Sequence, residues 1–223
     1  MQFRHEVKHE ISRSDLLILR QRLTAALTPD SHAGDGRYEV RSLYFDNPED
    51  KALRDKLDGV SVREKYRIRL YNNDPSVIHL ERKFKRGGLG YKESVPLTRE
   101  QAQRIADGRI RWMAQTADEV ILGFYSRLRN EGLAAKVIVD YTREAFVFAP
   151  GNVRVTLDYN IRTALRCTDF LNPACTTVPV PGSPCILEVK WDNFLPDVIS
   201  GLVRLGDRHS TAYSKYAACR MYD

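Results

Sequence analysis

Hydrophobic and polar residues alternate with period two over much of this chain, and several of the polar faces carry fixed charge. Residues 3–11 place Phe3, His5, Val7, His9 and Ile11 on one side and Arg4, Glu6, Lys8 and Glu10 on the other. The stretch KYRIRLY, residues 65–71, sets Lys65, Arg67 and Arg69 against Tyr66, Ile68 and Leu70. In 77–84, His79, Glu81 and Lys83 oppose Ile78, Leu80 and Phe84, with Arg82 breaking the pattern. Arg154, Thr156, Asp158 and Asn160 oppose Val153, Val155, Leu157 and Tyr159, and Ile186, Glu188, Lys190 and Asp192 oppose Cys185, Leu187, Val189 and Trp191. Alternation of this kind predicts β-strands. Further strands are expected at 38–45, at about 135–148, and after a hairpin at Gly87, Gly88 and Gly90.

Between the strands the period shifts to that of a helix. Leu16, Leu19, Leu23 and Leu27 form a stripe behind Ser14 as cap. Residues 46–59 read as a short helix, with Asp46 or Asn47 capping, Pro48 in the first turn and Gly59 past the end. Thr98 with Gln101, and Thr116 with Glu119, predict capping boxes for helices ending at Gly108 and near Gly132. Residues 28–37 are a polar loop, 168–184 a Pro/Thr-rich connection, and helices at about 195–206 and 211–221 close the chain. No repeat or clean linker divides it, which predicts a single α+β domain over residues 1–223.

Two architectures satisfy the charged strand faces. An antiparallel sheet can pack its apolar face on the helices and leave the other face wet. Alternatively the sheet closes into a barrel, with helices on its apolar outside and the charged faces lining a water-filled tunnel. Inward Arg and Lys repel one another unless carboxylates, a metal or a polyanion offset them.

Composition narrows the partner. Lys and Arg number 35 against 29 Asp and Glu, a net charge of +6, which suits an anionic ligand or simply a basic surface. The four cysteines, Cys167, Cys175, Cys185 and Cys219, have no C-x-x-C spacing and read as free thiols in a reducing compartment. The first ten residues are too charged for a signal peptide, and no apolar run reaches the ~18 residues of a membrane span. A cytoplasmic protein with no membrane segment of its own is the expectation. Tyr66 and Tyr71 fall on opposite parities and build no stacking platform, so nucleic acid is not the expected partner. No Ser-His-Asp or Cys-His arrangement supplies a nucleophile. Arg82, Lys85 and Arg86 are expected in solvent, Glu81 and Asp158 as partners of cations, His5 and His9 packed or at a rim, and Trp112 and Trp191 in the core.

Nine segments occur in an order that resembles the VTC domain, the polyphosphate polymerase domain of the vacuolar transporter chaperone family within the triphosphate tunnel superfamily. They are FRHEVKHEI (3–11), LYFDN (43–47), KYRIRLY (65–71), LERK (80–83), GYKES (90–94), DYTREAF (140–146), VRVTLD (153–158), ILEVKW (186–191) and YSKY (213–216). The resemblance implies a closed antiparallel barrel of about eight strands with helices outside. It implies an enzyme that transfers the γ-phosphate of ATP onto inorganic polyphosphate, dependent on Mn²⁺ or Mg²⁺ and binding triphosphate. By motif, Arg67, Arg69, Lys83, Lys215 and Glu188 would be catalytic, with Glu188 the metal carboxylate. Lys8, Lys92, Arg143, Arg154 and Lys190 would join the first four in holding phosphates. Such residue types suit the task, because Arg forks match phosphate oxygens and Lys is a movable point charge. The first strand reads Glu6-x-Lys8-x-Glu10 where the wider superfamily has E-x-E-x-K. The VTC branch departs there too, which favours it over a triphosphatase or a cyclase. No SPX-type sensor stretch is visible, so regulation and translocation of the fungal kind are not implied. The alternatives are an inorganic triphosphatase on the same fold and a non-catalytic binder of acidic polymers.

Overall fold

The computed structural model describes residues 3–31, 34–206 and 209–221. Strand β1 (His5–Ile11) leads to helix α1 (Arg13–Ala26), the short β2 (Thr28–Pro29), β3 (Tyr38–Asp46) and α2 (Lys51–Leu57). A meander follows, β4 (Val62–Tyr71), β5 (Asp74–Arg86) and β6 (Leu89–Leu97). Then come α3 (Arg99–Ala106), a 3-10 turn (Arg111–Gln115), α4 (Glu119–Asn130), β7 (Ala134–Phe148) and β8 (Val153–Thr163). The chain ends with β9 (Val178–Pro179), β10 (Cys185–Trp191), α5 (Asp197–Leu202) and α6 (Lys215–Arg220).

The expected elements are present, and three caps differ. Helix α1 is capped by Ser12, not Ser14. Ser12 leaves β1 in extended backbone, its hydroxyl accepts from the Asp15 amide, and the Asp15 carboxylate accepts from the Ser12 amide. Helix α4 is capped by Asp118 rather than Thr116, since Asp118 Oδ1 reaches the amides of Val120 and Ile121. Asp50, ahead of α2, is left-handed and makes no cap bond, so Asn47 and Asp46 accept from the amides of Lys51, Ala52 and Leu53. The Thr98–Gln101 box forms as read. The β5–β6 turn uses Gly87 and Gly88 at φ of 57° and 85°, a conformation that favours glycine and matches the twist of a hairpin. The two closing helices are shorter than expected.

All pairings are antiparallel, in the order β1-β10-β8-β7-β3-β4-β5-β6, with β2 added on β7 and β9 on β8. The closed barrel is corrected here. The edge strands β1 and β6 meet at one bridge, where Arg4 and Gly90 exchange backbone bonds of 3.0 and 3.3 Å. Further along β1, the chain ahead of α6 takes the free edge: Ser210 bridges His9, and the Thr211 amide donates to Lys8 O at 2.7 Å. Backbone groups already paired there cannot also ladder to β6. The result is a strongly curved sheet that stops short of closure.

Helices cover the convex face in two clusters. Leu16, Leu19 and Leu23 of α1 and Ile199 of α5 pack on Val155, Leu157, Leu187 and Val189. Ile105, Met113, Ile121 and Phe124 pack on Leu43, Phe45, Ile68 and Leu80. Burying apolar area at ~25 cal/mol per Å² is what holds these layers to the sheet. The concave face is not charged throughout. Val137, Val139, Ile161 and Ile186 join Tyr216 and Cys219 of α6 in a third apolar cluster on that side. A bulge between β7 and β8 puts Asn160 at φ of 53° and turns it outward to Arg13, so it leaves the face shared by Arg154 and Asp158.

Candidate functional site

The rest of the concave face is a charged cavity of about 800 Å³. Strand alternation delivers its walls: Arg63, Lys65, Arg67 and Arg69 from β4, Lys83 and Lys85 from β5, Lys92 from β6, Glu6 and Lys8 from β1, Glu188 and Lys190 from β10, Arg154 from β8 and Arg143 from β7. Lys215 enters from α6. That helix is placed by Tyr216, whose hydroxyl donates to Asp46 at 2.7 Å, and by Arg220, which pairs with Asp50. Fourteen Lys and Arg line the cavity against three Glu, an excess of eleven, whereas the whole chain carries only +6. Positive charge is therefore concentrated on this wall, offset in part by Glu81 and Asp158 buried behind it and in part by the rest of the chain.

Carboxylates in and behind the walls hold the cations in place. Glu81, 1% exposed, accepts from Arg67 Nε at 2.7 Å and Lys92 Nζ at 2.7 Å and lies 3.6 Å from Arg69 Nη1. Arg67 also donates to the Tyr44 hydroxyl, and Arg69 to Ser42 Oγ and the Tyr141 hydroxyl. Asp158, fully buried, takes a fork from Arg143 at 2.6 and 2.7 Å and Lys215 Nζ at 2.6 Å. Arg143 and Lys215 both lie over the Tyr141 ring. Arg154 pairs with Asp30 at 2.7 Å and donates to the Tyr38 hydroxyl. Glu188 lies 2.6 Å from Lys190 and 3.0 Å from Lys8. Glu6 gathers Lys83 at 2.8 Å, Lys85 at 3.0 Å, Lys8 at 3.5 Å and Lys190 at 3.6 Å.

Burial alone would raise the pKa of all four carboxylates. The neighbouring cations outweigh it and hold Glu6, Glu81, Asp158 and Glu188 below the usual range. Lys8 moves upward because Glu188 and Glu6 more than offset its burial. Lys65 behaves in the opposite way. Burial, with Lys56 and Arg63 nearby, brings it down to about 7 despite some help from Asp46. Among the described residues Lys65 has no carboxylate at ion-pair distance, and its ammonium lies 4.9 Å from the centre of the Tyr216 ring. Lys83 also falls to about 7, because burial and the Lys8 and Lys190 charges outweigh Glu6.

The ten residues singled out from the sequence, Lys8, Arg67, Arg69, Lys83, Lys92, Arg143, Arg154, Glu188, Lys190 and Lys215, all line this cavity. Lys85, expected in solvent near the hairpin end, points inward to Glu6 and is corrected; it shares the parity of Lys83 on β5, whose pairing runs to Arg86. Lys65, Arg63 and Glu6 were not singled out, although Lys65 and Arg63 share the parity of Arg67 and Glu6 that of Lys8. Lys56 and the tyrosines carried no local signal. Arg82 faces outward and pairs with Glu64 and Glu93. His5 stacks on Trp191, which with Trp112 packs at the edge of the core and not within it.

A second cavity of about 1000 Å³ opens on the convex side among α3, the Arg111–Gln115 turn and α4. It shares no lining residue with the concave one and takes no part in the charged network.

Among solved structures, protein PH1012 of Pyrococcus horikoshii OT3 is similar at 12% identity, covering 95% of this chain and 96% of that one, with a TM-score of 0.52. A conserved hypothetical protein of Pyrococcus furiosus is similar at 11% identity over 97% and 99% of the two chains, with a TM-score of 0.50. These likenesses show the fold alone. A Bacillus halodurans protein proposed to be an adenylate cyclase shares 14% identity over 85% and 80%, but its TM-score of 0.48 is too low to rest anything on. No curated protein matches the sequence. The VTC domain model, in contrast, matches residues 3–222, nearly the whole chain, and the chain belongs to the VTC domain family.

Proposed function

We propose that this chain is a polyphosphate polymerase, moving the γ-phosphate of ATP onto a growing inorganic polyphosphate chain within the concave cavity. The observation that carries the reading is the excess of fourteen cations over three carboxylates lining one concave wall, in a member of the VTC family. Phosphoryl transfer needs positioning and neutralised charge more than a protein nucleophile. Arg67 and Arg69, held by Glu81, Tyr44, Ser42 and Tyr141, present preorganised donors from one wall. Lys8, Lys190 and Lys83 face them as movable charges, and Arg143 and Lys215 flank the chain at the Tyr141 side. Arg154 and Lys92, more exposed, meet phosphates nearer solvent.

The donor set suits a hard divalent cation that arrives on phosphate oxygens. Glu188 and Glu6 offer carboxylate oxygens on adjacent strands and share Lys8 and Lys190. Among the described residues no group of three His, Cys, Asp or Glu builds a resident cage, and Mg²⁺ bound through one carboxylate plus substrate phosphates needs none. Bound there, Mg²⁺ or Mn²⁺ would neutralise phosphate charge, with Glu188 as its protein ligand. Phosphate oxygens compete for Lys8 and Lys190, which leaves Glu188 oxygens free for the cation.

The test is incubation of purified protein with ATP and Mn²⁺ or Mg²⁺, with products resolved on a gel. Long-chain polyphosphate is expected. Free phosphate without polymer would make the chain a triphosphatase, and binding without turnover a non-catalytic polyanion module; either result removes the polymerase reading.

A further inference from the structure

Cys167 and Cys175 sit eight residues apart in the connection after β8, away from the charged cavity, with their Sγ atoms 3.2 Å apart. We propose that these two thiols are an oxidisable pair that a hydroperoxide closes to a disulfide. The loop between them is folded and anchored. Phe170 is 1% exposed within the convex core, backbone bonds run from Cys167 to Ala164 and from Cys175 to Asn172, and the Asn172 carbonyl accepts from Arg41 at 2.8 Å. These anchors set the sulfurs close together in the reduced chain, so bond formation asks for about 1 Å of approach to reach the ~2.05 Å of a disulfide.

The two thiols have different surroundings, which assigns their order of reaction. Cys167 is exposed, whereas Cys175 packs against the convex cluster. Burial, and the Cys167 thiol beside it, push Cys175 up to about 11, with the Arg41 guanidinium acting against them. Cys167 is therefore the attacking thiolate. Its sulfur bonds to one peroxide oxygen, the O–O bond breaks, and water or an alcohol departs, leaving a sulfenic acid. Cys175 sulfur then attacks Cys167 sulfur; the S–S bond forms, the S–O bond breaks, and the hydroxyl leaves as water with the Cys175 proton. Two thiols lose two electrons and two protons, and the peroxide takes them up as it is reduced to water, or to an alcohol and water. The buried Cys185 and Cys219 take no part.

The proposal is independent of the polymerase reading. The experiment treats the reduced full chain with dilute hydrogen peroxide, quenches, denatures, alkylates and measures intact mass. The expected result is two alkylations instead of four and a loss of two hydrogens, reversed by dithiothreitol. Cys175→Ser should lose the bridge and trap the sulfenic acid at Cys167 for a dimedone label, while Cys167→Ser should keep three alkylatable thiols. Four alkylated cysteines after peroxide, or a bridge that survives Cys175→Ser, would overturn the proposal.

Discussion

Lys83 Nζ lies 2.8 Å from Glu6 Oε2, although β5 and β1 stand near opposite ends of the strand order. Only strong curvature brings these two strands within reach across the concave side. The same carboxylate also meets Lys85 at 3.0 Å, so Glu6 spans the gap where the β1–β6 ladder is missing.

Removing that charge should therefore loosen the unfilled cavity. Glu6→Gln is expected to destabilise the free protein by about 1–3 kcal/mol, since it leaves the half-buried Lys83 and Lys85 without a counter-charge. Triphosphate supplies a counter-charge of its own, so it should restore more stability in the variant than in wild type. Denaturant titrations with and without triphosphate measure this; equal ligand-induced shifts would remove Glu6 from the role of placeholder.

Arg67 and Arg69 share Glu81, which offsets their mutual repulsion without ligand. Triphosphate at a hundred-fold excess over its dissociation constant should add ~2.7 kcal/mol of stability. Arg67→Ala and Arg69→Ala should each lose most of that gain. Each should also cost the free protein about 1–3 kcal/mol, because buried Glu81 loses a donor. A thermal-shift series at two salt concentrations separates this from diffuse attraction. An undiminished triphosphate shift in both variants would mean the β4 wall does not hold the ligand.

Glu188→Gln should abolish metal-dependent turnover while leaving the far-UV spectrum intact. The amide keeps the shape but offers a weaker oxygen to a hard cation. Activity followed through a Mn²⁺ titration checks it, and a wild-type curve would take Glu188 out of the metal role.

Lys65, at about 7 against 10.5 for an ordinary lysine, makes binding and stability pH-dependent in opposite senses. Between those values the unfolded chain holds the extra proton, so this group's contribution to stability rises with pH through the window. A phosphate nearby favours the charged amine. Triphosphate should thus take up protons at pH 8 and bind more weakly as pH climbs further. Calorimetry in two buffers of different protonation enthalpy reads the uptake; Lys65→Met should reduce it, with Lys83 supplying what remains. The same uptake in variant and wild type would exclude Lys65.

The sequence alone determined the main strands and most of their parity, and the ten residues it singled out line one cavity. Period-two alternation is local, so it placed Arg67 and Arg69, or Glu188 and Lys190, on a common face without reference to partners. Motif order then identified the family. Cap position was nearly legible, since Ser12 and Asp118 lie within two residues of the choices made from pattern. What alternation could not reach is which faces meet. Strand order joins β1 to β10 and β3 to β7, partners about 90 or more residues apart, and nothing in a single strand encodes that pairing. The outcome at the β1–β6 edge was decided by competition for one row of backbone groups, which the segment at Ser210 and Thr211 won. For the same reason the sequence showed Glu6 as one charge on an alternating strand, Lys85 as a surface charge and the cysteines as four separate thiols. Packing made Glu6 a hub, turned Lys85 inward, and set Cys167 against Cys175, because contact between distant side chains exists only once the curved sheet has formed.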